Sequence, residues 1–165
     1  MTEGPSATSP HDAEIELLLA FMNTADAELG TDLLDSGSAW EHWVAERGIG
    51  EPGDVRAARQ VRDALRASAG APGAERVEWP RPWPVAVALL EGGPELTSEE
   101  AVGTLLLTAT RLAVLGTWNR VKICPADTCL WAFYDRSRNR SRAWCSMRVC
   151  GNRAKSRNWR HRARR

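Results

Sequence analysis

The sequence predicts a mainly α N-terminal domain with a small β element, followed by a C-terminal four-cysteine module made of a β-hairpin and a basic helix. Three observations predict it. Apolar residues recur at helical spacing through most of the stretch from His11 to Trp118. All four cysteines fall after residue 123. Charge divides at nearly the same place: residues 120–165 hold fourteen Lys/Arg against two acids, a balance of +12, and residues 1–119 hold eight against nineteen, a balance of −11. The net charge of +1 hides this division. A chain of 165 residues accommodates one domain of roughly 120 residues and a small appended module. The expected organisation is a disordered leader over 1–10, a mostly helical domain over 11–119 and the cysteine module over 120–165.

Taken in order, the Ser-, Thr- and Pro-rich residues 1–10 read as the leader. Ile15, Leu18, Leu19 and Met22 then mark a helix from about His11 to Leu29, with Gly30 as its stop. Asp32–Gly37 reads as a turn. A second helix covers Ala39–Arg47, with Ser38 or Ser36 as N-cap, Gly48 at its end and Trp40, Trp43 and Val44 on one face. Asp54 caps a third helix to about Ala69, with Val55, Ala58, Val61 and Leu65 inward. Gly70–Gly73 is a loop. Two short strands are expected near Arg76–Trp79 and Val85–Leu90, divided by Pro80, Pro82 and Pro84, with a turn over Glu91–Leu96. Thr97-Ser98-Glu99-Glu100 reads as a capping box opening a long helix to about Trp118, striped with Val102, Leu105, Leu106, Ala109, Leu112 and Ala113.

The sequence lacks the roughly 18 consecutive apolar residues of a membrane span. The polar, slightly acidic start lacks the basic head and apolar core of a signal peptide, so the expected location is the cytoplasm. No catalytic constellation emerges either. His11, His42 and His161 have no nucleophile or ligand partner nearby in sequence, and no phosphate-binding glycine loop is present, so an enzyme is not expected.

The cysteines follow the spacing Cys124-x4-Cys129-x15-Cys145-x4-Cys150. Two matched pairs, each on a tight turn, supply the four thiolates that a structural zinc ion takes in tetrahedral array. Pro125 and Asp127 suit the first turn, and the spacer is long enough for a hairpin that brings the second pair back. Clustering of thiols in a chain expected in a reducing compartment favours metal over disulfides. So short a segment buries little core alone, so one structural Zn2+ would supply much of its folding energy.

Within the spacer, Leu130, Ala132 and Tyr134 alternate with Trp131 and Phe133 as in a strand. Trp131, Phe133 and Tyr134 read as the small core of the module, the alternative being stacking on unpaired bases. Arg136, Arg138, Arg140 and Arg142 follow at every second position and cannot be core. Beyond Cys150, Gly151 permits an unusual backbone angle and Asn152 suits an N-cap. The remainder reads as a basic helix with Ala154 and Trp159 toward the module and Arg153, Arg157 and Arg160 along one face.

Trp131-Ala-Phe-Tyr-Asp135, Ser137-Arg-Asn-Arg-Ser-Arg142, Trp144-Cys-Ser-Met147 and Cys150-Gly-Asn-Arg-Ala-Lys155 together resemble the signature of the CGNR zinc-finger family. The resemblance covers residues 120–165. In that family the finger follows a domain called ABATE, described as a stress-induced transcription regulator. Leu19-Ala-Phe-Met-Asn23-Thr24, Asp32-Leu-Leu-Asp35 and the Trp43 helix resemble that domain. The resemblance implies zinc ligation by Cys124, Cys129, Cys145 and Cys150, and zinc-dependent binding of DNA.

A basic surface of this density points to an acidic partner, most often nucleic acid; the competing reading is that the tail neutralises the acidic body. For duplex DNA, Arg136, Arg138, Arg140 and Arg142 read as phosphate binders, Arg153, Lys155 and Arg157 as candidates for base edges, with Arg148, Asn152 and Arg160 completing the set. The expectation is a transcription regulator associated with the nucleoid. Its acidic body would sense a signal or contact a partner. Rival readings are a finger that docks on a protein of the transcription machinery, an RNA binder, and a redox sensor built on the thiolates. The five body tryptophans, Trp40, Trp43, Trp79, Trp83 and Trp118, read as core packing. The alternative is a pocket for a small-molecule effector with Trp79–Pro84 at its rim. A homodimer through the body is a further expectation, with no interface legible.

Overall fold

The computed structural model describes residues 10–73 and 82–162, without the side chains of residues 10, 157, 158, 160 and 161. The expected leader, apart from Pro10, and the expected strand at Arg76–Trp79 lie outside the described residues. Helix α1 spans Pro10–Met22 and buries Ile15, Leu18, Phe21 and Met22. It ends a full two turns before the expected stop at Gly30. Asn23 and Thr24 turn the chain into a short hairpin, β1 (Ala25–Asp26) paired antiparallel with β2 (Thr31–Asp32). The Asp26 carboxylate accepts from the N–H groups of Glu28 and Leu29, an Asx turn that competes with helix for the backbone. Asp32 then caps a 3-10 turn at Leu33–Asp35.

Helices α2 (Gly37–Arg47) and α3 (Val55–Ser68) form where their caps dictate. Ser36 accepts from the Ala39 N–H, and Gly48 closes α2 at φ 59° in the left-handed region. Asp54 accepts from the Arg56 N–H at 2.9 Å. Trp40, Trp43 and Val44 are buried on one face, as expected, and the two indoles stack at 5.4 Å beside Phe21. The Trp40 indole donates to the Pro52 carbonyl at 2.7 Å, so its burial leaves no orphan N–H. Ala58 and Val61 are buried, with Val55 and Leu65 at the margin of the same core.

Strand β3 (Ala86–Leu90) pairs antiparallel with β4 (Gly93–Thr97), Leu90 standing opposite Gly93. The expected turn over Glu91–Leu96 is therefore mostly strand. Glu91 and Gly92 alone make the connection, and Gly93 at φ 120° takes the bend. Thr97-Ser98-Glu99-Glu100 is not a capping box. Thr97 closes β4, and helix α4 (Ala101–Val114) starts at Ala101. The Glu51 carbonyl accepts from the Ala101 N–H at 2.8 Å, while the Glu51 N–H donates to the Glu99 carbonyl at 2.7 Å. Backbone from a distant loop thus does the work of a side-chain cap. The end of α4 also comes early: Leu115 caps it, Gly116 takes φ 66°, and Trp118–Arg120 forms a separate 3-10 turn. Val102, Leu105, Ala109 and Leu112 are buried as expected, whereas Ala113 faces solvent. Gly103 lies inside this helix because a Cβ there would collide with Ser98 and meet Trp83 at 3.0 Å.

Among the described residues no helix is long and apolar enough to cross a membrane. The core joins α1, α2, α3 and α4 and continues into the cysteine module through Val121, Ile123 and Ala132. Arg62 is a buried charge in this body, 3% exposed, held by both oxygens of Asp32 at 2.5 and 2.9 Å. Burial would raise the Asp32 carboxyl, yet Arg62 and the Leu34 N–H hold it below its ordinary value.

Candidate metal centre

Strand β5 (Val121–Ile123) leads directly into Cys124 and pairs antiparallel with β6 (Ala132–Tyr134). The hairpin of the module thus closes around the first cysteine pair; the expected hairpin within the 15-residue spacer does not form. The Cys124 N–H extends the ladder to the Trp131 carbonyl at 2.9 Å. Between them the N–H groups of Cys129 and Leu130 converge on the Ala126 carbonyl, and Leu130 takes a left-handed φ of 51°. The strand alternation has a clear purpose. Ala132, with Leu130 and Tyr134, packs on the body, and Phe133 is buried among the cysteines. Trp131 shares the Phe133 face yet is 41% exposed, so it does not belong to the small core expected of it.

Of the second pair, Cys145 precedes and Cys150 lies on a wide five-residue turn of π type, Met147–Gly151, capped by Ser146, which accepts from the Val149 N–H. Gly151 does not take an unusual backbone angle; its φ is not positive. A Cβ there would instead fall 2.6 Å from Met147 Sδ and 3.4 Å from the Trp144 ring, so close packing is what favours glycine. The turn runs straight into helix α5 (Asn152–Arg162), which makes Asn152 a helical residue donating to the Arg148 carbonyl at 3.1 Å, not an N-cap. Ala154 is half-buried, but Trp159 is 71% exposed and does not face the module.

These turns bring the Sγ atoms of Cys124, Cys129, Cys145 and Cys150 within 4.8 Å of one another. Cys129 to Cys145 is 3.5 Å and Cys145 to Cys150 is 3.7 Å. Disulfide sulfurs would lie at about 2.05 Å. Four thiolates around a tetrahedral zinc at about 2.3 Å would stand about 3.8 Å apart, so the donor set fits such an ion in number, element and spacing. The electrostatics agree. Burial pushes the Cys150 thiol up to about 11, with the Cys129 thiol adding to it, and burial together with the neighbouring thiols raises Cys145 further. Burial also disfavours a thiolate at Cys124, but backbone N–H groups of Cys145 and Ala126 outweigh it and lower that one. Without a cation the cluster accommodates few thiolates, and a divalent ion removes the mutual repulsion.

Beside the cluster stands a residue that the spacing argument passed over. Asp135 is wholly buried. Its carboxylate accepts from Lys122 Nζ at 2.7 Å, from the Ser137 N–H at 2.9 Å and hydroxyl at 2.5 Å, and from the Arg142 N–H at 3.0 Å. Burial would raise its carboxyl, but Lys122 and these donors hold it far below the usual carboxylate range. Lys122 also donates to the carbonyls of Arg140 and Arg142. The arginine-rich loop is therefore wrapped around one carboxylate. The legible signal was a lone acid two residues before a serine, the pattern of an Asx turn, in a segment otherwise almost free of acids.

The expected nucleic-acid contacts separate into groups. Arg142 donates to the carbonyls of Trp144 and Cys145 and lies over the Phe133 ring, bracing the entry to the second pair. Arg136 pairs with Asp12 and with Glu16 on α1, and Arg153 reaches Glu28 at 3.5 Å. The alternative of a tail that neutralises the body thus holds for these two. Arg140 is exposed and donates to Asn119. Arg138, Arg148 and Lys155 are exposed, with no side-chain partner among the described residues. The side chains of Arg157 and Arg160 lie outside the described residues.

Two body residues seat the module. The Asn23 amide clasps the backbone of Ala132 in both directions, at 2.7 and 3.0 Å. Arg66 on α3 donates to the Met22 carbonyl at 2.6 Å and the Leu130 carbonyl at 2.7 Å. Of the body tryptophans, Trp40 and Trp43 are core, and Trp83 and Trp118 pack at its edge, while Trp79 lies outside the described residues.

Comparison with protein families gives two adjoining matches. Residues 120–165 match the CGNR zinc finger, and residues 16–121 match ABATE, described as "Putative stress-induced transcription regulator". No curated protein matches the chain. With the second model spanning well over half its length, the chain belongs to the ABATE family and carries a CGNR zinc finger directly after that domain.

Proposed function

We propose that this protein is a zinc-dependent, DNA-binding regulator of transcription. In this reading residues 120–165 form the DNA-binding finger, and residues 11–119 sense a signal or contact a partner. Cys124, Cys129, Cys145 and Cys150 would hold one structural Zn2+, fixing the turns that carry Arg148 and the start of α5. The observation that carries the reading is the charge left exposed around the cluster. One of the two acids in the segment, Asp135, is buried and spent on Lys122. Asp127 is exposed, against exposed Arg138, Arg140, Arg148 and Lys155. Such a face suits phosphate, with Arg138 and Arg148 as the leading contacts and Arg153, Lys155, Arg157 and Arg160 along α5. The protein would act at the nucleoid and carry no catalytic role.

Fluorescence anisotropy on duplex DNA across a salt series tests this. Log affinity should fall linearly with log salt concentration, and the combined Arg138→Ala, Arg148→Ala and Lys155→Ala variant should show a slope shallower by about 3. Absent or salt-independent binding would contradict the reading. One observation favours a second reading, binding of single strands: the exposed Trp131 and Trp159 offer stacking surfaces beside the cations. Single-stranded RNA that out-competes duplex DNA would select it.

A further inference from the structure

Among the described residues the β3–β4 ribbon stands apart from the other sheets, with β4 packed against α4 and β3 outermost. A two-stranded ribbon is marginal by itself, and its open edge is a template for another strand. Its two strands are protected differently. β4 carries Pro94, which has no N–H to offer, and Glu95. Val85 and the whole of β3 carry neither charge nor proline. Val85, Val87 and Leu89 alternate onto one face and are 49%, 68% and 84% exposed, and Leu96, the cross-strand partner of Val87, is 48% exposed. Proteins ordinarily blunt such an edge with lysine, proline or a bulge. Among the described residues the guards stand on the inner strand, and the outer strand has none of its own.

We propose that β3 is a two-fold interface between copies of this chain. β3 of one copy pairs antiparallel with β3 of the other, giving a four-stranded sheet in the order β4, β3, β3, β4. Charge selects the occupant. A two-fold contact requires a patch complementary to itself. Pairing centred on Val87 sets Val87 against its own copy, Val85 against Leu89 and Ala86 against Ala88, so no like charges meet. The same operation on β4 brings Glu95 against or close to its own copy. A strongly charged partner strand would find no counter-charge on β3. The apolar face of Val85, Val87 and Leu89 then runs unbroken across both copies. This inference stands apart from the DNA reading, and it gives the assembly two fingers.

Sedimentation equilibrium of the full chain reads the result directly. The protein, 18.2 kDa as a single chain, should sediment at twice that mass. Val87→Lys should halve it while leaving metal content and far-ultraviolet dichroism unchanged. Leu89→Lys, at the more exposed position, is the second variant should the first not fold. Leu29→Lys, which places the same charge on an equally exposed leucine in the β1–β2 turn, should remain at twice the mass. A wild-type chain that stays at 18.2 kDa at the highest soluble concentration overturns the proposal, as does a folded Val87→Lys or Leu89→Lys chain that stays paired.

Discussion

The body and the finger share one chain and are held together by opposite means. The body encloses Ile15, Leu18, Phe21, Trp40, Val44, Leu105 and Leu112, a continuous apolar core with charges mostly outside. The separate core of the finger is Cys124, Ala126, Phe133 and Cys150, half of it thiol. Burial at roughly 25 cal/mol per Å2 of apolar surface stabilises the first and cannot stabilise the second alone. What the finger has instead is polar: four sulfurs converging on one point, and one buried carboxylate that gathers an arginine loop. The hairpin β5–β6 belongs to both, since Ala132 faces the body and Phe133 faces the thiols. The finger is therefore not a bead on a linker.

Breaking the polar side should produce the largest effect. Chelation, or Cys150→Ser, should unfold residues beyond Tyr134 while the helices of the body persist. Far-ultraviolet dichroism should lose only the part due to α5, and the fluorescence of Trp144 should change substantially. Asp135→Asn comes next, because it leaves Lys122 and three backbone or hydroxyl donors facing a weaker acceptor; a loss of about 3–5 kcal/mol in urea unfolding is expected. Its pH dependence has a definite sign. The folded carboxyl titrates well below its unfolded value of about 3.9, so its contribution is fully present above that pH and fades as pH falls through the folded value. The stability gap between wild type and Asp135→Asn should stay constant above roughly pH 5 and narrow only below about pH 4.

Arg66→Met probes the seam between the two regions. It removes two charge-assisted bonds to the Met22 and Leu130 carbonyls and should cost about 3 kcal/mol, with faster metal loss to a competing chelator. Arg111→Ala should have the smallest effect. Its ion pair with Glu14 is exposed to solvent, so the change in thermal midpoint should correspond to less than about 1 kcal/mol.

The same contrast explains what the sequence disclosed. Helices α2 and α3 were legible to within a residue or two because Ser36, Gly48 and Asp54 cap them locally. The four thiols were legible because metal spacing is local in each pair. The errors arose where partners are distant. Helix α1 ends at Met22 because Asn23 is drawn to Ala132, 109 residues away. The start of α4 was misplaced because its cap is the backbone of Glu51. β6 pairs with the strand before the first cysteine, a register that periodicity does not specify. Arg136 and Arg142 looked alike in sequence, and the fold gives one to α1 and the other to the metal turn.

The central claim is that four cysteines, not a hydrophobic core, hold the finger in shape. Metal analysis of the purified chain, followed by substitution with Co2+ and visible spectroscopy, tests it most directly. One zinc per chain and the intense absorption of a tetrahedral tetrathiolate, altered in each single Cys→Ser variant at 124, 129, 145 and 150, is the expected result. A chain that binds no stoichiometric metal yet keeps residues 135–162 folded would contradict it.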